Sequence, residues 1–191
     1  MLLDILKGFN WLDVAVVIFM FRIVYIAMNS GLPIELFKLL GTILAIYLSL
    51  HYYTNLSDYL GGPVPYLKNM PLDFLDFVCF IILAVLGYII FVFLREGFSH
   101  FIKMEAVRHL NKYGGMLLGI IRSFLFTGLL IFILAISTIS YLGESVKSSS
   151  LGNRFFKITP IIYSFLWNNV MSKFMTGEKF NSTVFEVKNK F

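Results

Sequence analysis

Long apolar stretches separated by short polar segments dominate the chain. Residues 77–94 and 123–143 contain no charged side chain. Residues 11–28 and 36–53 are also apolar, and their few charges lie where a side chain can reach the edge of a membrane. A helix needs roughly 17–25 residues to cross the hydrocarbon core. The pattern therefore predicts an all-α, polytopic integral membrane protein with four transmembrane helices, over residues 11–28, 36–53, 77–94 and 116–142.

The remaining segments differ in pattern from the four spans. In residues 95–113, apolar positions recur at helical spacing among basic residues, which is typical of an amphipathic helix on a membrane surface. Residues 146–171 contain an apolar stretch, broken by Pro160, that is too short to span, so we expect an interfacial or re-entrant segment. Residues 172–191 are polar and lysine-rich, and we expect a mobile tail. Residues 1–145 form the predicted transmembrane domain.

The composition agrees with a membrane protein and narrows its chemistry. Hydrophobic residues make up 58% of the 191 residues and charged residues 14%, against roughly 25% charged in soluble domains. The formal charge of +5 favours contact with anionic lipid, because no nucleic-acid-binding motif accompanies it. Cys79 is the only cysteine, which excludes an intrachain disulfide, and three dispersed histidines form no metal-binding motif.

Motifs of the common enzyme classes are missing from the sequence. It contains no hydrolase elbow, P-loop, zincin motif or dinucleotide-binding fingerprint. The predicted membrane core also lacks acidic pairs suited to general acid–base catalysis. We therefore expect no catalytic activity, no cofactor and no metal.

Small residues recur every four positions in two of the predicted spans. One ladder consists of Gly115, Gly119 and Ser123, and continues to Thr127. The other consists of Gly41, Ala45 and Ser49. Small side chains at this spacing let two helix backbones approach closely in lipid. We expect both ladders to be packing surfaces, and we expect them to pack against each other.

Four charged residues are predicted to lie within or beside the membrane core: Asp13, Arg22, Glu35 and Arg122. Asp13 and Arg22 are nine residues apart, about 180° around a helix, so they cannot pair directly. In an up-and-down arrangement, Arg22, Glu35 and Arg122 lie toward the same side of the membrane. These charges form either an anion or substrate pathway or an Arg–Glu network around Glu35. Alternatively, the arginines extend to lipid phosphates, and the sequence leaves these interpretations open.

Several short motifs resemble the CvpA (colicin V production protein) family. The segment Asn10-Trp11-Leu12-Asp13 opens the first helix, and Gly31 is followed by Glu35-Leu36 and Leu39-Leu40-Gly41. The most specific motif is the segment LNKYGGMLLGIIRS, residues 110–123, at the start of the last span. Residues 148–150 are a serine triplet with Pro160 downstream, as in the family. The resemblance covers residues 10–165, and it departs from the family at residues 27–30, which lack a basic residue, and at Ser123, where glycine is usual.

The resemblance implies a bacterial inner-membrane protein associated with colicin V production, with a wider role in envelope homeostasis. It implies no catalytic residues, because none are established for the family. We therefore expect a non-enzymatic, multi-pass protein of the cytoplasmic membrane that supports toxin production or export. The alternative is a small oligomeric channel or transporter, in which the glycine ladder packs subunits and Arg22 and Arg122 line an anion path. The expected partners are anionic membrane lipids and, in that alternative, further copies of the chain, but no nucleic acid.

Overall fold

The computed structural model describes residues 10–62, 70–101 and 108–189, and this part of the chain is helical without strands. Four long helices come first: α1 (Trp11–Ser30), α2 (Leu32–Gly61), α3 (Leu72–Phe101) and α4 (Arg108–Ile136). Shorter elements follow: α5 (Ser140–Ser148), α6 (Ser150–Leu166), a π-helical turn (Trp167–Met171), α7 (Ser172–Phe174) and α8 (Thr183–Asn189). Each of the four long helices is long and apolar enough to cross a membrane, which confirms the prediction of four spans.

The ends of the long helices differ from the predicted boundaries. Helices α2 and α3 have 30 residues each, which is about 45 Å of helix against a hydrocarbon core of about 30 Å. Helix α4 ends at Ile136 rather than 142, and the next helix, α5, begins at Ser140. The predicted amphipathic helix over residues 95–113 lies partly outside the described residues. Its described ends are not a separate helix, since they continue α3 and begin α4.

A single residue, Gly31, joins α1 to α2. Its φ of +83° lies in the region that favours glycine. Its N–H donates to the Ala27 carbonyl at 3.2 Å, and Pro33 in the first turn of α2 fits the start of a helix. The two helices therefore form a tight hairpin, and its turn lies beside α4.

The glycine ladder of α4 packs on α1, which differs from the predicted pairing. Gly119 faces the Ala27 side chain, and Gly115 faces the turn at Gly31. A β-carbon on Gly115 would come within 2.8 Å of the Ala27 carbonyl oxygen. Ser123, the next member of the ladder, is fully buried, and its hydroxyl donates to the Ile120 carbonyl within α4.

The ladder of α2 packs on α3. Gly41 faces Tyr88 and Phe91, and a β-carbon on Gly87 would lie 2.7 Å from the Ala45 Cα. Helices α2 and α4 also pack together, but the prediction that the glycine ladder of α4 meets the ladder of α2 is wrong. Any face of small residues can accept another in lipid, so equal spacing does not select the partner.

Helix α6 packs against α1, α2 and α4, within the segment predicted to be interfacial or re-entrant. Its Phe155 and Phe156 are buried and stack on Phe124 and Phe132 of α4, with ring centroids 5.6 and 5.4 Å apart. Gly128 of α4 faces the Phe155 carbonyl. The segment is therefore part of the protein core, and its position relative to the membrane stays a prediction.

The segment predicted to be a mobile polar tail packs on the helices at several of its described residues. Val184 is fully buried, and Phe180 stacks on Tyr163 of α6 at 4.9 Å. The Asn181 amide donates to the Leu50 carbonyl of α2 at 2.8 Å. The partners of this segment lie on α2 and α6, far away in the sequence. Its local composition alone therefore predicts a mobile tail.

Candidate functional site: polar clusters at the two ends of the bundle

Glu35 is the centre of a buried ionic network in the first turn of α2. Its carboxylate is fully buried and accepts from Arg122 Nε at 2.9 Å and from Lys38 Nζ at 2.6 Å. Lys38 also donates to Ser30 Oγ at 2.9 Å. We call Glu35, Lys38 and Arg122 the charge network. Such pairing agrees with one of the sequence interpretations, an Arg–Glu network around Glu35.

Close packing at the turn between α1 and α2 positions this network. The backbone N–H of Leu32 donates to Asn111 Oδ1 of α4 at 2.8 Å, and Gly115 lies against Gly31. These contacts set the register of α4 against the start of α2. Arg122 is seven residues further along α4 than Gly115, which is about 10 Å deeper along the helix.

The charges of the network do not cancel. One carboxylate meets two cations, so the network carries one excess positive charge when all three groups are ionised. The Arg122 guanidinium uses only Nε to bind Glu35. Among the described residues, its two terminal amino groups have no hydrogen-bond partner. These groups are strong donors in a mostly buried side chain.

Arg122 lines a groove of about 530 Å³ between α2, α3 and α4. Thr42 and Tyr88 lie at the same end of it, and Ile133 lies at the other end. Val85 on α3 is half exposed at the rim. The remaining lining residues are apolar: Ala45, Ile81, Ala84, Ile89, Phe126, Leu129 and Leu130.

Asp13, at the opposite end of the bundle, has no cationic partner among the described residues. It is fully buried, and its Oδ1 accepts from Ser149 Oγ and from the Leu151 N–H, both at 2.7 Å. Its Oδ2 accepts from the Asn10 N–H at 2.8 Å. Asn10 precedes α1 and Ser149 precedes α6, so the carboxylate serves the N-termini of two helices. We call Asn10, Asp13, Ser149 and Leu151 the helix-end cluster.

Arg22 belongs to neither cluster. Its side chain is exposed on α1, and within the described part of the chain it has no ion pair. An exposed arginine in an apolar helix can extend toward lipid phosphates, as one of the sequence interpretations proposed. The structure therefore separates Arg22 from Glu35 and Arg122.

A third cluster, around His51 of α2, was not predicted from the sequence. His51 Nε2 lies 2.7 Å from Glu178 Oε2, and Nδ1 lies 2.8 Å from the Tyr163 hydroxyl, which accepts from the Asn181 N–H. Tyr52 donates to Glu178 at 2.8 Å, and this bond is the main reason that the pKa of Glu178 is lowered. Burial raises the pKa of Tyr163 to about 12, with a smaller contribution from Glu178.

Some residues of these three clusters lie in recognisable sequence motifs, whereas others do not. Asn111 and Ser149 lie in segments that resemble family motifs, although no contact was predicted for them. His51 and Glu178 are 127 positions apart, and no local pattern marks either residue. The described residues contain no group of histidine, cysteine and acidic side chains suited to a metal ion.

Comparison with known proteins relates these clusters to a family. A family model described as "Colicin V production protein" matches residues 12–160, which is most of the chain. The chain belongs to the colicin V production protein (CvpA) family. Asp13, Glu35, Arg122 and Ser149 of this CvpA-family protein all lie within the matched segment, whereas Glu178 lies beyond it.

A curated relative was also found by comparison with known proteins. The CvpA-family chain is 21% identical over 167 residues to the uncharacterized transmembrane protein YshB of Bacillus subtilis (strain 168). That alignment covers 81% of this chain and 94% of the relative. No solved structure matches the chain. Together with the four apolar helices, the comparison supports a multi-pass membrane protein.

Proposed function

We propose that this CvpA-family protein is a non-enzymatic protein of the bacterial inner membrane that supports the production or export of a colicin V-type toxin and maintains the envelope. The family match over residues 12–160 carries the proposal. The placement of the buried charges agrees with it, because Asp13 and Glu35 are both engaged in bonds that hold helices together. A carboxylate held in this way is poorly suited to act as a general base.

Complementation in a toxin-producing bacterium tests the proposal. The host lacks its own CvpA-family gene, and it receives either the wild-type gene or an empty vector. We expect the wild-type gene to restore the amount of secreted colicin V and the resistance of cells to detergent. A variant such as Glu35→Gln, checked for membrane insertion, should restore less. If toxin secretion and detergent resistance are the same with the wild-type gene and the empty vector, the proposal is wrong.

The alternative function is a small oligomeric channel or transporter. Its glycine ladder was expected to pack subunits, yet Gly115 and Gly119 lie against α1 of the same chain. The groove beside Arg122 is lined mainly by apolar residues, which suits lipid better than a hydrated ion. Ion flux through purified protein in liposomes distinguishes the two functions. Flux that depends on Arg122 would favour the channel, and absence of flux under voltage, pH and tension would favour the accessory role.

A further inference from the structure

We propose that the groove between α2, α3 and α4 binds an anionic phospholipid, with its phosphate at Arg122 and one acyl chain along the apolar walls. This site goes beyond the role in toxin production, and it would exist whether or not that role is correct. Three observations carry it: the terminal amino groups of Arg122, which have no partner among the described residues, the excess charge of the network, and the length and lining of the groove.

The donors of Arg122 fit a phosphate. Nε is bound to Glu35, which fixes the plane of the guanidinium, and the terminal amino groups remain without partners among the described residues. A guanidinium in this state can donate two further hydrogen bonds to the oxygens of one phosphate. Thr42 lines the same end of the groove, although its hydroxyl donates to the Lys38 carbonyl at 2.9 Å.

The excess positive charge selects a lipid with net negative charge. Glu35 neutralises only one of its two cationic partners, Lys38 and Arg122. A buried charge without a counter-charge is unfavourable in lipid. An anionic headgroup supplies the missing charge, whereas a zwitterionic headgroup adds a cation of its own next to Arg122.

The length of the groove fits one leaflet of a bilayer. It extends along α4 from Arg122 to Ile133, which is 11 residues or about 16 Å. This is about half of a hydrocarbon core of roughly 30 Å. Arg122 lies at the end of the groove nearer to the turn at Gly31 and is the middle residue of α4, so a lipid with its phosphate there would direct its chain toward the end of α4 at Ile136.

Native mass spectrometry of the purified protein tests the site. The protein is released from detergent with equal amounts of phosphatidylglycerol, phosphatidylethanolamine and oleate, and the adducts are counted. We expect phosphatidylglycerol to be preferred over phosphatidylethanolamine by about tenfold, as one charge-assisted bond would give. Preference for oleate over both phospholipids, or equal binding of the two phospholipids, would overturn the proposal.

Two pairs of matched variants locate the binding. Arg122→Gln should fold, because Glu35 keeps Lys38 as partner, and should lose the preference for phosphatidylglycerol. Arg22→Gln removes an exposed arginine of α1, and this variant should retain the preference for phosphatidylglycerol. An equal loss of this preference in both variants would indicate a non-specific charge effect and would overturn the proposal.

The second pair fills the groove and remains informative if Arg122→Gln does not fold. Val85 lines the groove at its rim, so Val85→Trp should reduce phosphatidylglycerol binding by about tenfold, since the indole would occupy the path of the acyl chain. Leu86 is similarly exposed on α3 but does not line the groove, and Leu86→Trp should bind as the wild type does. Unchanged binding in Val85→Trp would contradict the proposal. Neither result depends on toxin production, so failure here is distinguishable from failure of the proposed function.

Discussion

Asp13 and Glu35 are both fully buried carboxylates near helix N-termini, yet the protein holds them in opposite ways. Asp13 is bound by one hydroxyl and two backbone N–H groups, and no cation approaches it among the described residues. Glu35 is bound by two cations. The helix-end cluster therefore depends on hydrogen-bond geometry and helix dipoles, whereas the charge network depends on net charge.

This difference determines which cluster can bind a ligand. The donors around Asp13 are all used in hydrogen bonds, and the helix-end cluster joins α1 to the start of α6. Arg122 of the charge network lines a groove, and its terminal amino groups have no hydrogen-bond partner among the described residues. A cluster whose donors all have partners acts as a structural connection. A cluster with excess positive charge and donors without partners can bind an anion. The following predictions test this contrast, in order of decreasing effect.

Replacing Glu35 should have the largest effect on stability. Glu35→Gln leaves the buried Arg122 and the partly buried Lys38 without their counter-charge, which costs about 3–5 kcal/mol. We expect a clearly lower unfolding midpoint in a mild detergent, or failure to insert. Glu144 is an exposed acid on α5, and Glu144→Gln serves as the control with little change. A wild-type midpoint for Glu35→Gln would show that the network is not ionic.

Enlarging Gly119 should separate α4 from α1 and thereby displace Arg122. A leucine there would collide with the Ala27 side chain, so we expect a loss of about 3 kcal/mol. Gly97→Leu is the matched control, since a β-carbon at Gly97 meets nothing within 4 Å. Thermal unfolding and crosslinking between α1 and α4 measure the effect. Wild-type behaviour of Gly119→Leu would contradict the close packing described above.

Removing only the charge of Asp13 should cost less than removing that of Glu35. Asn in place of Asp13 keeps one oxygen for Ser149 and Leu151, but it presents an amide donor to the Asn10 N–H. One hydrogen bond is lost, and we expect a loss of about 1–2 kcal/mol in unfolding free energy. An effect as large as that of Glu35→Gln would mean that the helix-end cluster also depends on its charge.

Glu178, a side-chain carboxylate in the C-terminal segment, should have the smallest effect on stability, and this effect should disappear at acid pH. Its pKa is lowered from the ordinary 4.5, so its contribution to stability is present above that value and is lost as pH falls through the lowered pKa. Its side chain is 40% exposed, so we expect less than about 1 kcal/mol. Glu178→Gln should reduce the fall in melting temperature between neutral and acid pH. Glu186 is an exposed acid nearby, and Glu186→Gln should leave this fall unchanged. Identical acid-dependent curves for the wild type and Glu178→Gln would exclude this role.

Part of the candidate site could be predicted from the sequence. Arg122 and Glu35 stand out because charges are rare in apolar segments, and their place on the same side follows from four alternating spans. The partner of Asp13 did not follow, since Ser149 is 136 positions away and serines are common. Arg22 has the same local appearance as Arg122, and only the packing of α1 leaves it exposed.

Local composition was sufficient to determine the class of this protein and the number of its membrane helices. The transfer of about 20 apolar residues from water to lipid is so favourable that each span is specified by its own sequence. The tertiary structure decided which helices pair, how the C-terminal segment packs, and which arginine meets Glu35. Lipid is as apolar as the helix faces, so hydrophobicity does not choose among them. Close contacts such as that of Gly115 with Gly31, and hydrogen bonds such as that from the Leu32 N–H to Asn111, select the partners, and they join residues more than 75 positions apart in the chain.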